Sequence, residues 1–310
     1  MDCLTGSHQH VLKLFRQHRA RRPQHMTPTL QRSGFRSPLR YPGGKQRAAK
    51  RIADLFPSDK PLHIASPFFG GGSVELELVS RGHKITGSDF FAPVAAFWQQ
   101  LSLDPERLET KVREFIPDLK MTKKVFYKLQ DQLRSFLPFV STNKKNGFID
   151  SENAFELAWH FFVINRSSFS GATLSGGMAT ADRFNANAVN RLRHVDLSKI
   201  EVRHGDYWEQ LFDRKRRRFR FDAIYADPPY CLQVSKLYGD QGSTHQDFDH
   251  VRFAKHMNWC RKQGAPIVIS YNDCPAIREL FADWDFQSIS WAYGMNSSKQ
   301  SNEIILSTNF

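Results

Sequence analysis

Between residues 62 and 89 the spacing of apolar positions changes twice. LHIAS (62–66) is a short apolar run of strand length, SVELELVSRG (73–82) spaces its apolar residues for a helix closed by Gly82, and KITGSD (84–89) is again strand-like. Strand, helix, strand within about 30 residues predicts a βαβ unit, and so a parallel sheet. From 93 to about 199 the pattern is mainly helical: an acid and base mix over 105–118, then KKVFYKLQDQLRSFL (123–137) and ENAFELAWHFFVI (152–164). Serines and glycines around 169–178 predict a hairpin or an extended loop. Alternation resumes with KIEVRHGD (199–206), FDAIYADPPY (221–230), the helix HVRFAKHMNWCRKQG (250–264) and the apolar run APIVISYND (265–273). Closing strands are expected near 285–293 and 302–308. The whole predicts an α/β fold with no internal repeat: a sheet domain from 36–92 and 200–310, a helical insertion over 93–199, and an arm over 1–35.

Composition narrows the class. At 310 residues, 40% hydrophobic and 24% charged, the chain can bury a sizeable core, and no apolar run approaches the length of a membrane span. Cys3, Cys231, Cys260 and Cys274 form no CxxC pair, which argues against a disulfide framework or a structural zinc and for a reducing compartment. The net charge of +13 is unevenly placed: residues 1–51 hold 12 Lys and Arg against the single acid Asp2, while the other 259 residues sum to +2. A second concentration, Arg214, Lys215, Arg216, Arg217, Arg218 and Arg220, lies within that nearly neutral remainder. Two basic surfaces suggest a polyanion partner, although either run alone fits a solvated surface equally well. The arm lacks an apolar stretch, so no secretory signal is expected, whereas its Arg-rich composition also fits an organellar or nuclear address.

FDAIYADPPY carries the sharpest chemistry. An apolar strand delivers Asp227 to its carboxyl end, and Pro228 and Pro229 then forbid both ladder pairing and helix. A carboxylate there, followed by a carbonyl with no competing amide hydrogen, offers two acceptors that suit an exocyclic amine, and Tyr230 adds a flat face for a base. The plain alternative is a strand ending in an Asp-Pro turn. In SPFFGGGSVEL (66–76), Gly70, Gly71 and Gly72 sit between the first strand and first helix, where close approach of a ligand and a helix N-terminus coincide. The spacing of a phosphate-binding P-loop is absent. Asp89 ends the next strand, where a carboxylate accepts from ribose hydroxyls or caps the following helix.

These residues together resemble a known family. LRYPGGK (39–45), PFFGGGSVEL (67–76), the N-R-x-x-F-S-G stretch (165–171), Asp206 and DPPY (227–230) are similar, in type and order, to the Dam-like, alpha-group DNA adenine N6 methyltransferases. The resemblance implies a Rossmann-like class I methyltransferase fold of mixed, mostly parallel sheet, with a target-recognition insertion. It further implies S-adenosylmethionine as cofactor, with Tyr41, Pro42, Gly43, Gly44 and Lys45 as one binding motif and Lys45 meeting the methionine carboxylate. The loop of Pro67, Phe68, Phe69, Gly70, Gly71, Gly72 and Ser73 would wrap the methionine, Asp89 the ribose and Asp206 the adenine amine. Asp227 and the Pro228 carbonyl would hold the target N6, with Pro229 fixing the turn and Tyr230 stacked on a flipped base. Two departures stand out: Ser66 occupies a position where an acid commonly precedes the proline, and Tyr41 one where Trp is frequent.

A base inside a duplex cannot reach such a pocket, so double-stranded DNA as partner implies base extrusion. Phe169 is the candidate wedge, with Asn165, Arg166, Ser168 and Ser170 as readers and Arg183, Arg191 and Arg193 as phosphate contacts. The competing picture has Phe169 packed on the insertion itself. The resemblance implies a cytoplasmic monomer of bacterial or phage origin, without membrane association or metal, and admits a cognate restriction endonuclease. Cys231 is expected to be a packing residue, and His245, Asp247, Asp249 and His250 a turn and helix cap rather than a metal site. Transfer to cytosine N4 or an RNA amine, and a silent DNA-binding module, remain alternatives at this level. A nicotinamide dehydrogenase has the wrong glycine spacing.

Overall fold

The computed structural model describes residues 36–150, 153–213, 218–231, 240, 248–289 and 303–308. The βαβ unit is present: β1 (His63–Ser66), α2 (Ser73–Ser80) and β2 (Lys84–Asp89), preceded by the short helix α1 (Ala49–Ala53). Helices α3 (Ala92–Leu103), α4 (Pro105–Phe115), α5 (Lys123–Phe136), α6 (Ala154–Ser167) and α7 (Ala186–His194) follow. Then come β3 (Ile200–His204), α8 (Tyr207–Leu211), β4 (Phe212–Asp213), β5 (Arg218–Phe219) and β6 (Ala223–Ala226). The chain continues through α9 (His250–Lys262), β7 (Ile267–Asn272), α10 (Pro275–Leu280), β8 (Asp285–Ile289) and β9 (Glu303–Thr308).

The sheet order is β3-β2-β1-β6-β7-β9-β8, parallel from β3 through β7 and antiparallel at β9 and β8. This is the Rossmann-like, mixed and mostly parallel sheet expected from the sequence. Strand order reverses between β1 and β6, and the loops leaving their carboxyl ends flank a crevice there. Alternation along each strand divides the core. Ile64, Tyr225, Val268 and Ile305 face the helices α1 to α7, whereas Ala65, Ile224, Ile269 and Ile304 face α8, α9 and α10.

Helix α3 packs against β2 and β3, and α6 against α3, so the helical segment shares the core of the sheet instead of closing its own. The division expected at 92/93 cuts through that packing. Helix α6 is apolar nearly all round because α3, α4 and α5 cover it.

Residues 169–178 form no two-stranded hairpin. A turn at Phe169–Gly171 and one bridge, Ser168 to Met178, close the loop. Gln130 Nε2 donates to the carbonyls of Thr173 and Gly176, which a ladder would otherwise engage. A small antiparallel pair, β4 with β5, was not foreseen. The basic residues 214–217 between them, the arm 1–35, and residues 290–302 of the closing strands lie outside the described residues. So do His245 and Asp247, while Asp249 caps α9 by accepting from the Arg252 N–H. No cluster with metal-ligand character and no helix able to cross a membrane occurs among the described residues.

Candidate active site

A pocket of about 400 Å³ opens at the carboxyl ends of β1 and β6. The glycine loop forms one wall. Asp89 Oδ2 accepts from the Gly70 N–H (2.9 Å) and its Oδ1 from the Phe91 N–H (2.9 Å), while the Gly70 carbonyl accepts from Trp98 Nε1 (3.0 Å). Gly70 has φ +46°, and a Cβ there would stand 2.8 Å from the ring of Tyr41, so only glycine lets that ring cover the loop. Helix α2 begins directly after this loop and turns its N-terminus to the pocket. Of the residues expected to hold the cofactor, Tyr41, Pro42, Gly44, Lys45, Pro67, Phe68, Phe69, Gly70, Gly71, Gly72, Ser73, Asp89, Asp206 and Asp227 all line this pocket. Gly43 does not; its carbonyl accepts from Lys45 Nζ at 2.7 Å.

The opposite wall is the DPPY turn, with Pro228, Pro229 and Tyr230. Asn272, at the end of β7, fixes it by accepting from the Cys231 N–H (2.8 Å) and donating to the Cys231 carbonyl (3.0 Å). Lys45 is only 3% exposed in its side chain and donates to Asp227 Oδ2 at 2.9 Å, with Glu303 at 3.9 Å and the Tyr230 ring 5.0 Å away. Lys45, expected to meet the methionine carboxylate, here divides its ammonium donors between the Gly43 carbonyl and Asp227 Oδ2. The other carboxylate oxygen, Asp227 Oδ1, is buried without a hydrogen-bond partner among the described residues.

Three pocket acids sit above the ordinary carboxylate range. Burial raises Asp227 to about 6 against the opposing pull of Lys45, and burial raises Asp89 to about 6 despite its two N–H donors. Glu75, on the first turn of α2, is 2% exposed, accepts from Ser66 Oγ at 2.5 Å and is pushed up to about 7 by burial. Asp206 caps α8 by accepting from the Trp208 N–H (2.8 Å) and also lines the pocket.

Residues 41–295 match the family described as D12 class N6 adenine-specific DNA methyltransferase. The chain belongs to that family. That family is described as acting on DNA at adenine N6, the first of the readings the sequence offered. No curated protein sequence matches it. Among solved structures, a SAM-dependent methyltransferase from Agrobacterium tumefaciens is 11% identical, covering 85% of this chain and 61% of its own at a TM-score of 0.38. The chain thus spans less than two thirds of that protein's length. A ribosomal protein L11 methylase from Lactobacillus delbrueckii subsp. bulgaricus is 10% identical, covering 92% of this chain and 89% of its own at a TM-score of 0.36.

On the side foreseen for DNA, the structure departs from expectation at three of the residues foreseen as readers. Asn165 and Ser168 are fully buried and Arg166 is 8% exposed. Asn165 accepts from the Arg40 N–H (2.9 Å) and donates to the carbonyls of Arg40 (2.6 Å) and Gly171 (3.1 Å), tying the 39–45 segment to the loop. Ser168 Oγ accepts from the Thr173 N–H and donates to the Asn165 carbonyl. Both are therefore corrected from base readers to residues that shape the loop, since the end of α6 needs partners for its carbonyls. Phe169 is 71% exposed, and Ser170 and Arg183 are exposed as well. Sequence reasoning missed Glu75, Phe90 and Arg252 in the pocket lining. Phe90 follows Asp89 and is 65% exposed, an apolar residue at a strand end that could have signalled a ligand face.

Proposed function

We propose that the pocket binds S-adenosylmethionine and that this methyltransferase belongs to the Dam-like alpha group. The carrying observation is Asp227 Oδ1, a buried acceptor without a partner beside the glycine loop. The pocket's charges support the cofactor: Glu75, Asp89, Asp206, Asp227 and Asp249 face Lys45 and Arg252, so a chain of net +13 lines this cavity with an excess of acids. That suits a cationic donor. When bound, S-adenosylmethionine supplies a methyl made electrophilic by its sulfonium. Glu75, which makes no ion pair with a described residue, receives the ligand's ammonium, and Asp89 accepts from the ribose hydroxyls through the lone pairs left by its N–H bonds.

The protein's task is alignment. With Lys45 holding Oδ2, the Oδ1 of Asp227 and the carbonyl of Pro228 accept the two hydrogens of N6, drawing nitrogen electron density out of the ring's conjugation. Tyr230 stacks on the extruded adenine, and Phe169 fills the gap left in the duplex. Residues 93–199 supply target recognition and residues 36–92 with 200–310 the catalytic sheet, with α3 joining the two. Asp227→Ala tests the reading: digestion of methylated DNA to nucleosides should show N6-methyladenine falling by at least about 10²-fold, while calorimetry still detects cofactor binding. Turnover like that of the wild type refutes the assigned role.

A further inference from the structure

Beneath the Phe169 loop lies a group of positive charges that nothing in the described fold compensates. Arg166, in the last turn of α6, has a buried Nε–H without a partner, and its one side-chain hydrogen bond is a long 3.5 Å contact from Nη2 to the Arg183 carbonyl. Arg40 likewise keeps a buried Nη1 without a partner. Arg183, in the turn Ala181–Arg183 whose carbonyl Arg166 reaches, and Arg191, on α7, lie close enough for their charges to act on Arg166. Burial, then Arg191, Arg40 and Arg183, hold the Arg166 guanidinium down at about 10, and burial with Arg183 lowers Arg40. None of the four makes an ion pair with a described residue.

A fold gains nothing from burying donors of Arg40 and Arg166 beside two further guanidinium groups, because those donors lose hydration and gain no counter-charge among the described residues. The cost is offset once an anion enters, and the geometry of guanidinium donors matches phosphate oxygens. The floor of the group is fixed. Asn165 pairs with both backbone groups of Arg40, and Gly171, at φ +77°, lies so close that a Cβ there would stand 2.1 Å from the Arg40 carbonyl oxygen. The loop bearing the exposed Phe169 is therefore seated on the backbone of Arg40.

We propose that Arg40, Arg166, Arg183 and Arg191 form a preformed clamp for one backbone phosphate of the DNA, registered against the Phe169 loop. The clamp adds affinity that is independent of sequence and fixes where the duplex lies, whereas the pocket selects the base. It rests on the family's DNA substrate, and it turns Arg166 from a reader into a buried phosphate ligand.

Because phosphate contacts carry no sequence information, a short fluorescein-labelled duplex of arbitrary sequence serves as probe. Fluorescence anisotropy of the full chain against salt concentration gives the slope of log K on log salt. Losing one phosphate should reduce the steepness of that slope by about 0.9, both in Arg166→Met and in Arg191→Gln, whose side chain lies nearer the surface. Arg166→Met removes a buried uncompensated charge, so its melting temperature should hold or rise. The slope decides: an unchanged slope in folded Arg191→Gln overturns the clamp, as does Arg166→Met with an unchanged slope and a lowered melting temperature. Wild-type protein that methylates DNA while matching both variants in slope would remove the clamp and leave the reaction standing.

Discussion

Glu75→Gln separates what the pocket costs the fold from what it does for the ligand. Burial lifts the Glu75 carboxyl from 4.5 to about 7, and at about 1.36 kcal/mol per pH unit that is roughly 3 kcal/mol against the ionised form. Between those two values the folded protein keeps a proton that the unfolded chain has released. Stability therefore falls as pH rises from about 4.5 to about 7, and the full penalty applies above that window. Glutamine carries no charge and its amide oxygen can still accept from Ser66 Oγ. Unfolding entropy is about 2.1 cal/mol/K per residue, so for 310 residues the variant should melt about 5 °C higher than wild type at a pH of about 8. Near pH 4.5 the two should melt together. Ligand binding should move the other way. Loss of a charge-assisted hydrogen bond worth about 1.5 kcal/mol weakens S-adenosylhomocysteine roughly tenfold. Methylthioadenosine, which lacks the amino-acid half, should bind both proteins alike. Scanning calorimetry across pH and titration calorimetry with the two ligands check this. Equal weakening of both ligands, or parallel pH profiles for the two proteins, would refute it.

Two further outcomes follow from the same geometry. Lys45→Met removes the cation that opposes burial at Asp227, so the carboxyl should rise from about 6. In the proposed mechanism Asp227 accepts in its ionised form and activity is lost as pH falls through that value, so the acid limb of the kcat profile should move up by about 1–2 pH units; an unmoved limb would deny the ion pair a part in the reaction. Phe169→Ala deletes a ring that is 71% exposed, so stability should change by no more than about 0.5 kcal/mol. In the same variant, the 2-aminopurine signal of base extrusion should fall, and an unchanged signal would take the wedge role from Phe169.

The sequence by itself determined the βαβ start, the later strands and the two chemical loops, because each rests on signals local to a few residues. Apolar period separates His63–Ser66 from Ser73–Ser80, and Pro228 and Pro229 limit the backbone whatever surrounds them. Those motifs, in their order, were enough to anticipate the family. The partners of each side chain were not legible. Lys45 and Asp227 are 182 residues apart, and the sequence could not disclose that the ammonium meets this carboxylate before any ligand. Glu75 sat unnoticed within a helical run, since one acid among apolar neighbours looks solvent-facing until the sheet and α2 close over it. Asn165 and Ser168 looked like polar readers for the same reason, and the folded chain instead spends their hydrogen bonds on Arg40, Gly171 and Thr173. Burial and long-range pairing are properties of the packed chain: they set which polar groups lose water and which find a partner, and no local pattern of residues encodes that.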